Sequence, residues 1–307
     1  MKVKKNIKSL LTFFVTSAYD FLLKIKIIEP KVIVYIDGGI SSQLYQYFIG
    51  LHFKEKGFKV RYDLKFYREN ALDMNKIFAR NFDLQKLFAG IEVKQVNVVV
   101  SFFYRNSYYY GGNFYEKNEN YSFLNMKPPL YLGGYYKIPD KMWKSIPEKM
   151  QFKTSLFNDS FVGIMVNKIK TYENSIAVHV RRGDLSEYNI VYGEPATTDY
   201  FERAIMYCQD IFRNTFFYFF SDESQWIKEE LIPSLPIENY EIVKENGSDK
   251  GYVDLFLIAQ CKHQIASKGF FGKMGALLNH YDKKLLICMD DETEFEWKNR
   301  HPNVKFI

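Results

Sequence analysis

Short apolar runs, each closed by a polar or glycine-containing turn and followed by a stretch of helical period, recur along most of this 307-residue chain. Residues 31–37 (KVIVYID) read as a first strand. The turn Gly38-Gly39-Ile40-Ser41-Ser42 follows, and Leu44, Phe48 and Leu51 then share one face of a helix. Gly57 is placed to stop that helix after Lys54-Glu55-Lys56, and 58–63 alternates as a second strand, which completes a β-α-β unit. Further on, 81–88 reads as a short helix or turn, 131–136 as strand and turn, and 139–152 as a helix. The stretch 102–123 (FFYRNSYYYGGNFYEKNENYSF) is aromatic and polar without a clean period. It reads as a long loop or hairpin over a cleft, or as packing between domains.

The carboxyl-terminal half alternates more regularly. Residues 175–180 form a branched apolar run of buried-strand type. A helix over about 199–212 follows, then a strand at 215–220, a helix near 224–231 and a strand at 240–243. Next come a helix at 251–262 with Val253, Phe256, Leu257 and Gln260 on one face, a strand at 263–267, a helix at 272–281 and a last strand at 284–289. Strand-helix alternation of this length predicts a doubly wound parallel sheet. The polar stretch around 153–174 reads as the crossing between domains. The predicted organisation is a basic extension at 1–29, an α/β domain at 30–160 and a second at 161–307.

The strand at 175–180 ends in His179-Val180-Arg181-Arg182-Gly183-Asp184. In open α/β sheets the ligand crevice lies outside the carboxyl ends of the strands. Two adjacent guanidiniums there could clamp a diphosphate, since the planar fork matches phosphate oxygens and stays charged at any working pH. A solvated turn is the alternative on spacing alone. Ser221 and Asp222 close the strand at 215–220 on the same edge, as groups for a phosphate, a ribose hydroxyl or a guanine amine, or as a helix cap. Asp254, early in its helix, has the same two readings. Gly38 and Gly39 would let backbone approach a ligand at a helix amino terminus, or simply make a tight turn. They match neither the dinucleotide fingerprint nor a P-loop. No Asp-x-Asp pair occurs in the chain. A sugar-nucleotide enzyme without one must neutralise its leaving diphosphate with cations and helix ends, which points again to Arg181 and Arg182.

The formal charge of +6 suits an anionic substrate or membrane surface and is too small to argue for nucleic acid. Twenty-four Tyr and 28 Phe supply flat apolar faces with polar edges, as a sugar-binding surface would use. Cys208, Cys261 and Cys288 have no paired spacing and read as reduced, buried thiols of a cytosolic protein. Lys2, Lys4, Lys5 and Lys8 precede an apolar stretch at 10–23 that is short for a bilayer span and contains Asp20, with no small-residue cleavage site. With Leu10, Phe13, Phe14, Phe21 and Leu22, it reads either as a helix in the plane of an anionic membrane or as one packed on the protein's own surface.

Five ordered stretches resemble the α-1,2-fucosyltransferases of glycosyltransferase family 11. His179-Val-Arg-Arg-Gly-Asp184 is similar to the family's H-x-R-R-x-D motif, and Gly38-Gly-Ile-Ser-Ser-Gln-Leu-Tyr-Gln-Tyr47 to its G-G-L-G-N-Q-L-F-Q-Y start. Tyr131–Tyr136 resembles the Y-L-x-G-Y-F/W segment and 217–223 the F-x-F-F-S-D-D strand end. Residues 252–279, with Cys261-Lys-His263 and Gly275-Ala-Leu-Leu-Asn279, resemble the closing block. The resemblance implies a GT-B-like fold of two Rossmann-like doubly wound domains facing a cleft. It also implies a GDP-β-L-fucose donor and an inverting transfer, with no metal or other cofactor, to a sugar hydroxyl such as a galactoside 2-OH.

By the same resemblance, Arg181 and Arg182 hold the diphosphate and stabilise charge as the glycosidic bond breaks, with His179, Asp184, Ser221, Asp222, Asp254, Gly38, Gly39 and Gln43 around the donor. His179 would orient phosphates or arginines, or be a satisfied core histidine. Glu187, Glu194 and Asp37 are candidate bases for the acceptor hydroxyl. The implied setting is surface-polysaccharide or O-antigen synthesis on an oligosaccharide or lipid-linked glycan acceptor, in the cytoplasm or peripherally on the inner membrane face. The chain departs from the family at Ser41-Ser42 and at 267–274, where two serines are lost and Lys268 and Lys273 gained. Either lysine would put a point charge on the diphosphate. The competing readings are a transferase for another sugar nucleotide and an inactive carbohydrate-binding scaffold of the same fold.

Overall fold

The computed structural model describes residues 2–69, 71–72, 79–112, 121–183, 185, 194–243 and 250–307, with side chains from residue 13 onward. The chain divides into two compact units. The first comprises Met1–Asp37, Ser42–Asn70 and Glu92–Pro139, and the second Gly38–Ser41, Ala71–Ile91 and Asp140–Ile307. Each carries one parallel sheet.

In the first unit, β1 (Val32–Tyr35), β2 (Val60–Asp63), β3 (Tyr109–Gly112) and β4 (Leu130–Gly134) lie in the order β2-β1-β4-β3. Strand alternation sends Ile33 and Tyr131 to one face, where they pack with Val96 and Tyr104. Tyr104 belongs to the helix Val98–Ser107. On the opposite face, Gly50 of the helix Ile40–Glu55 rests on the Tyr62 ring so closely that a methyl group there would strike it. Asp63, fully buried at the end of β2, gathers the carboxyl edge of this sheet. Its carboxylate accepts from the hydroxyls of Ser101 and Tyr131 (2.9 Å for Tyr131), from the Lys65 amide at 2.9 Å and from Arg68 at 3.3 Å.

The second unit has six parallel strands in the order β10-β9-β8-β5-β6-β7. They are β5 (Asn174–Val180), β6 (Thr215–Ser221), β7 (Tyr240–Ile242), β8 (His263–Ala266), β9 (Leu286–Cys288) and β10 (Val304–Phe306). Read from β5, this is the 3-2-1-4-5-6 order of a doubly wound sheet, whose direction of winding reverses between β5 and β8. Ile176, Val178 and Val180 alternate onto the face covered by Phe201, Ala204, Ile205 and Cys208 of the helix Thr198–Ile211. His179 therefore points to the other face, in register with Ala266, where the helix Phe271–Leu278 lies.

Three expectations need correction. The stretch 102–123 is no loop over a cleft in its described part: it contains the end of the helix Val98–Ser107 and then β3, while 113–120 lies outside the described residues. The crossing expected at 153–174 holds a 3₁₀ turn, Thr154–Asn158, and the helix Ser160–Thr171. The units part at Pro139–Asp140 and not at 160–161. The helix Asp140–Lys149 belongs with the second unit because buried Arg300 bonds Asp140 at 3.0 Å and stacks on Trp143, whose ring lies parallel to Phe270. Residues 71–91 join the same unit through backbone bonds from Ala89 to Gln151 and from Lys153 to Leu87.

Candidate functional site

The reversal point between β5 and β8 is stitched by reciprocal bonds. The Ser267 amide donates to the His179 carbonyl at 3.1 Å, and the Arg181 amide donates to Ser267 Oγ at 2.9 Å. The following amide, Arg182, faces the other way and donates to Asp222 Oδ1 at the end of β6, 3.1 Å away. Consecutive N–H groups of a strand alternate between its two neighbours, and this alternation separates the two arginines. Arg181 leans toward the β8 loop and Arg182 toward the β6 end.

The loop after β8 is shaped to receive the first of them. Gly269 has φ of +88°, and a Cβ there would collide with Nη1 of Arg181. Gly272 is equally confined, since its Cβ would come within 2.8 Å of His179 Cβ. His179 itself is buried, with its ring 5.2 Å from that of Phe271. Its place is the packed wall under the loop, beside Gly272 and Phe271. Below the loop, the Tyr200 hydroxyl donates to the carbonyl of Ala266 at 2.8 Å, tying the helix Thr198–Ile211 to the end of β8.

Arg182 is held from the side. Its guanidinium carbon lies 3.8 Å from the centroid of the Trp226 ring, and Nε is 3.6 Å from Glu223 Oε2. Stacking fixes the plane of the fork while leaving its edge to bond. Ser221 Oγ accepts from the Glu223 amide at 2.9 Å, which caps the turn carrying both neighbours. Asp222 likewise shapes the turn: besides bonding the Arg182 amide, its carboxylate closes over Gly183, where a Cβ would sit 3.1 Å from Oδ2.

Of the two gained lysines, one is excluded. Lys273 is buried and its ammonium is paired with the buried carboxylate of Glu294, so its charge is spent inside the unit. Lys268 is partly buried in the loop, its ammonium 3.4 Å from Asp291. Asp254 stands in the first turn of the helix Gly251–Gln260, whose Gly251 sits against the Phe271 ring. Glu194 is exposed, and Asp184 and Glu187 lie outside the described residues.

At the amino-terminal motif, Gly38 adopts φ of +71°, Gly39 has open space around its α-carbon, and Gln43 is fully buried in the first unit. Asp37, which closes the strand before them, is gripped twice by Gln46. The Gln46 side-chain amide donates to Asp37 Oδ1 at 2.7 Å, and its carbonyl accepts from the Asp37 amide at 3.0 Å. Burial raises the Asp37 pKa above its ordinary value, an effect the bonds from Gln46 and Tyr135 only partly offset.

Sequence reasoning missed Trp226, Tyr200, Gln46 and the confinement at Gly269 and Gly272. Gln46 alone had a signal, since it stands in the quoted motif at Asp37 plus nine. Trp226 is 44 positions after Arg182 and meets it only because β6 lies beside β5.

Two α/β units, each with one parallel sheet, give the chain the architecture of the GT-B class. Residues 68–305 match the family described as Glycosyl transferase family 11, and the chain belongs to that family. The match begins after the Gly38–Tyr47 segment. An Escherichia coli protein named O-antigen biosynthesis glycosyltransferase WbnK is 23% identical over 288 residues, covering 82% of this chain and 91% of its own. An Escherichia coli alpha-1,2-colitosyltransferase is also 23% identical, over 270 residues, covering 84% and 90%. Among solved structures, NodZ alpha-1,6-fucosyltransferase soaked with GDP-fucose superposes with a TM-score of 0.51 at 12% identity, covering 82% of this chain and 93% of its own. A mutant of Arabidopsis thaliana FUT1 in complex with GDP gives 0.51 at 9% identity, covering 84% and 70%. At these identities the solved structures speak to the fold alone.

Proposed function

We propose that this glycosyltransferase takes L-fucose from GDP-β-L-fucose and transfers it, with inversion, to a sugar hydroxyl of a surface-polysaccharide acceptor, the 2-OH of a galactoside being the first to test. The observation that supports the reading is that Arg181 and Arg182 lie to either side of one strand end, from which two guanidiniums would meet the oxygens of one diphosphate. Charge builds on that diphosphate as the glycosidic bond breaks, and preorganised cations meet it without reorganising. Lys268, at the rim of the same loop, is proposed as an auxiliary cation, and no metal ion is required. The colitosyltransferase among the relatives supports one second reading, in which the donor is GDP-colitose and the rest of the scheme is unchanged. A lipid-linked glycan acceptor would place the reaction at a membrane surface.

Calorimetry with GDP, UDP and GDP-fucose on the wild type and on Arg182→Ala tests the donor site. Loss of one charge-assisted fork should cost about 1.5–3 kcal/mol, roughly ten- to a hundredfold in GDP affinity. Lys268→Ala should lose less, and turnover should be unchanged in EDTA. Guanine-selective binding that collapses in Arg182→Ala supports the reading, and unchanged binding in that variant returns the fold to a scaffold role. Turnover with GDP-fucose against GDP-colitose then separates the two donors.

For the acceptor proton we propose Asp37 ahead of Glu187 and Glu194, because Gln46 fixes its carboxylate beside the Gly38-Gly39 turn and burial raises its pKa. A base acts deprotonated, so kcat should rise with pH through the Asp37 pKa, with the acid limb shifted upward by burial. Asp37→Asn should lower kcat by about a hundredfold or more with donor affinity retained. An Asn variant with full kcat assigns the proton elsewhere.

A further inference from the structure

The helix Lys2–Lys24 packs one face on the protein, while among the described residues its other face carries exposed apolar side chains. On the packed face Tyr19 stacks against Phe103 at 4.6 Å and meets Tyr104 at 5.9 Å, Asp20 accepts from the Tyr108 hydroxyl, and Leu23 is buried. These contacts bind the helix to Val98–Ser107 of the same unit. Phe14 and Phe21, two turns apart on the far side, are 62% and 60% exposed, and Phe13, Ile25 and Ile27 are exposed beside them. The sequence before Phe13 holds Lys2, Lys4, Lys5 and Lys8 together with Val3, Ile7 and Leu10. Lys24 is exposed at the other end. The helix beneath contributes three more exposed apolar side chains, Val98, Val99 and Phe102.

We infer that this face docks on an anionic lipid surface, with the helix lying in the plane of the interface. Aromatic and aliphatic side chains flanked by lysines are what an interfacial helix needs: burial of the apolar stripe in the headgroup region and attraction between ammonium groups and acidic lipids. Among the described residues no helix is long and apolar enough to cross a membrane, so the helix would lie on the bilayer and not span it. Asp20, the one acidic residue in the helix, pairs with Lys24 at 2.8 Å and accepts from the Tyr108 hydroxyl. The inference stands apart from the donor reading, since none of these residues belongs to the arginine site.

The test is co-sedimentation of the full chain with vesicles of phosphatidylcholine containing phosphatidylglycerol, against vesicles of phosphatidylcholine alone. Binding should require the anionic lipid, fall in high salt, and drop about tenfold or more in a Phe14→Ser/Phe21→Ser variant. Both side chains are exposed, so the variant should keep wild-type GDP affinity, which verifies its fold separately from its lipid binding. No binding to anionic vesicles overturns the inference, as does equal binding by the variant. Concentration-dependent dimerisation abolished by the same two substitutions would also overturn it, by making the occupant of the face a second copy of this chain.

Discussion

Arg181 and Arg182 are neighbours in sequence with different surroundings. One lies over a glycine in left-handed conformation and the other is stacked on an indole. Gly269 shows how much of this depends on a missing methyl group. Gly269→Ala would impose strain at φ of +88° and also drive a Cβ into the Arg181 guanidinium. Gly57→Ala is the matched control, with φ of +84° and nothing within 4 Å of the added carbon. Both should lose about 1 kcal/mol of stability from the backbone. Only Gly269→Ala should also weaken GDP binding, by about tenfold, as one charge-assisted fork is displaced. Calorimetry on the pair separates displacement of Arg181 from plain destabilisation, and equal GDP affinities would show that Arg181 does not contact the nucleotide from this position.

Among the elements, what could be read from sequence follows from how local the cause is. β5 and β6 are branched and aromatic runs whose pattern needs no partner to recognise. The glycine at 57 ends its helix through its own backbone freedom. The helix Val98–Ser107 went unread because its residues, VVVSFFYRNS, favour strands by propensity. It forms because the Asn97 side chain accepts from the Val99 amide at 2.8 Å and because Phe103 and Tyr104 find a buried face. β10 is only three residues, Val304–Phe306, and exists by pairing with β9. After β6 the helix runs through a π turn, Ile227–Leu231, immediately beyond Trp226. Nothing in the local sequence forecasts that the indole will meet Arg182.

For the whole molecule, two buried imidazoles set a pH window on stability. Burial lowers the pKa of His263 and His301 to about 4 each. His263 is held neutral between Asn174 and the Leu285 amide, which bonds to Nδ1 at 3.2 Å, with Phe212 stacked 4.0 Å away. In the unfolded chain both titrate near 6.5, so stability is complete above that pH and is lost as pH falls from 6.5 through 4. Each contributes up to about 3 kcal/mol to that loss. Thermal melts from pH 8 to pH 4 should show Tm falling within this window, and His263→Gln should flatten the slope. A flat Tm across the window would mean that the imidazoles are hydrated in solution. The three cysteines lie at the same depth, unbridged, and burial raises the Cys208 and Cys288 thiols to about 12.

The sequence by itself determined the alternation of strands and helices, the doubly wound character of the second sheet, and the arrival of Arg181 and Arg182 at a strand's carboxyl end. These depend on side-chain periodicity and turn residues within a few positions of one another. It also held the resemblance to family 11, because ordered motifs survive where overall identity is low. Only the tertiary structure decided that Lys273 is consumed by Glu294, that Trp226 holds Arg182, that Ser267 and Gly269 hold Arg181, and that 71–91 belongs with the second unit. The first three are contacts between residues brought together by strand order, and the last rests on backbone bonds between 87–89 and 151–153. Strand order is set by which buried faces pair in space, a quantity no local pattern contains.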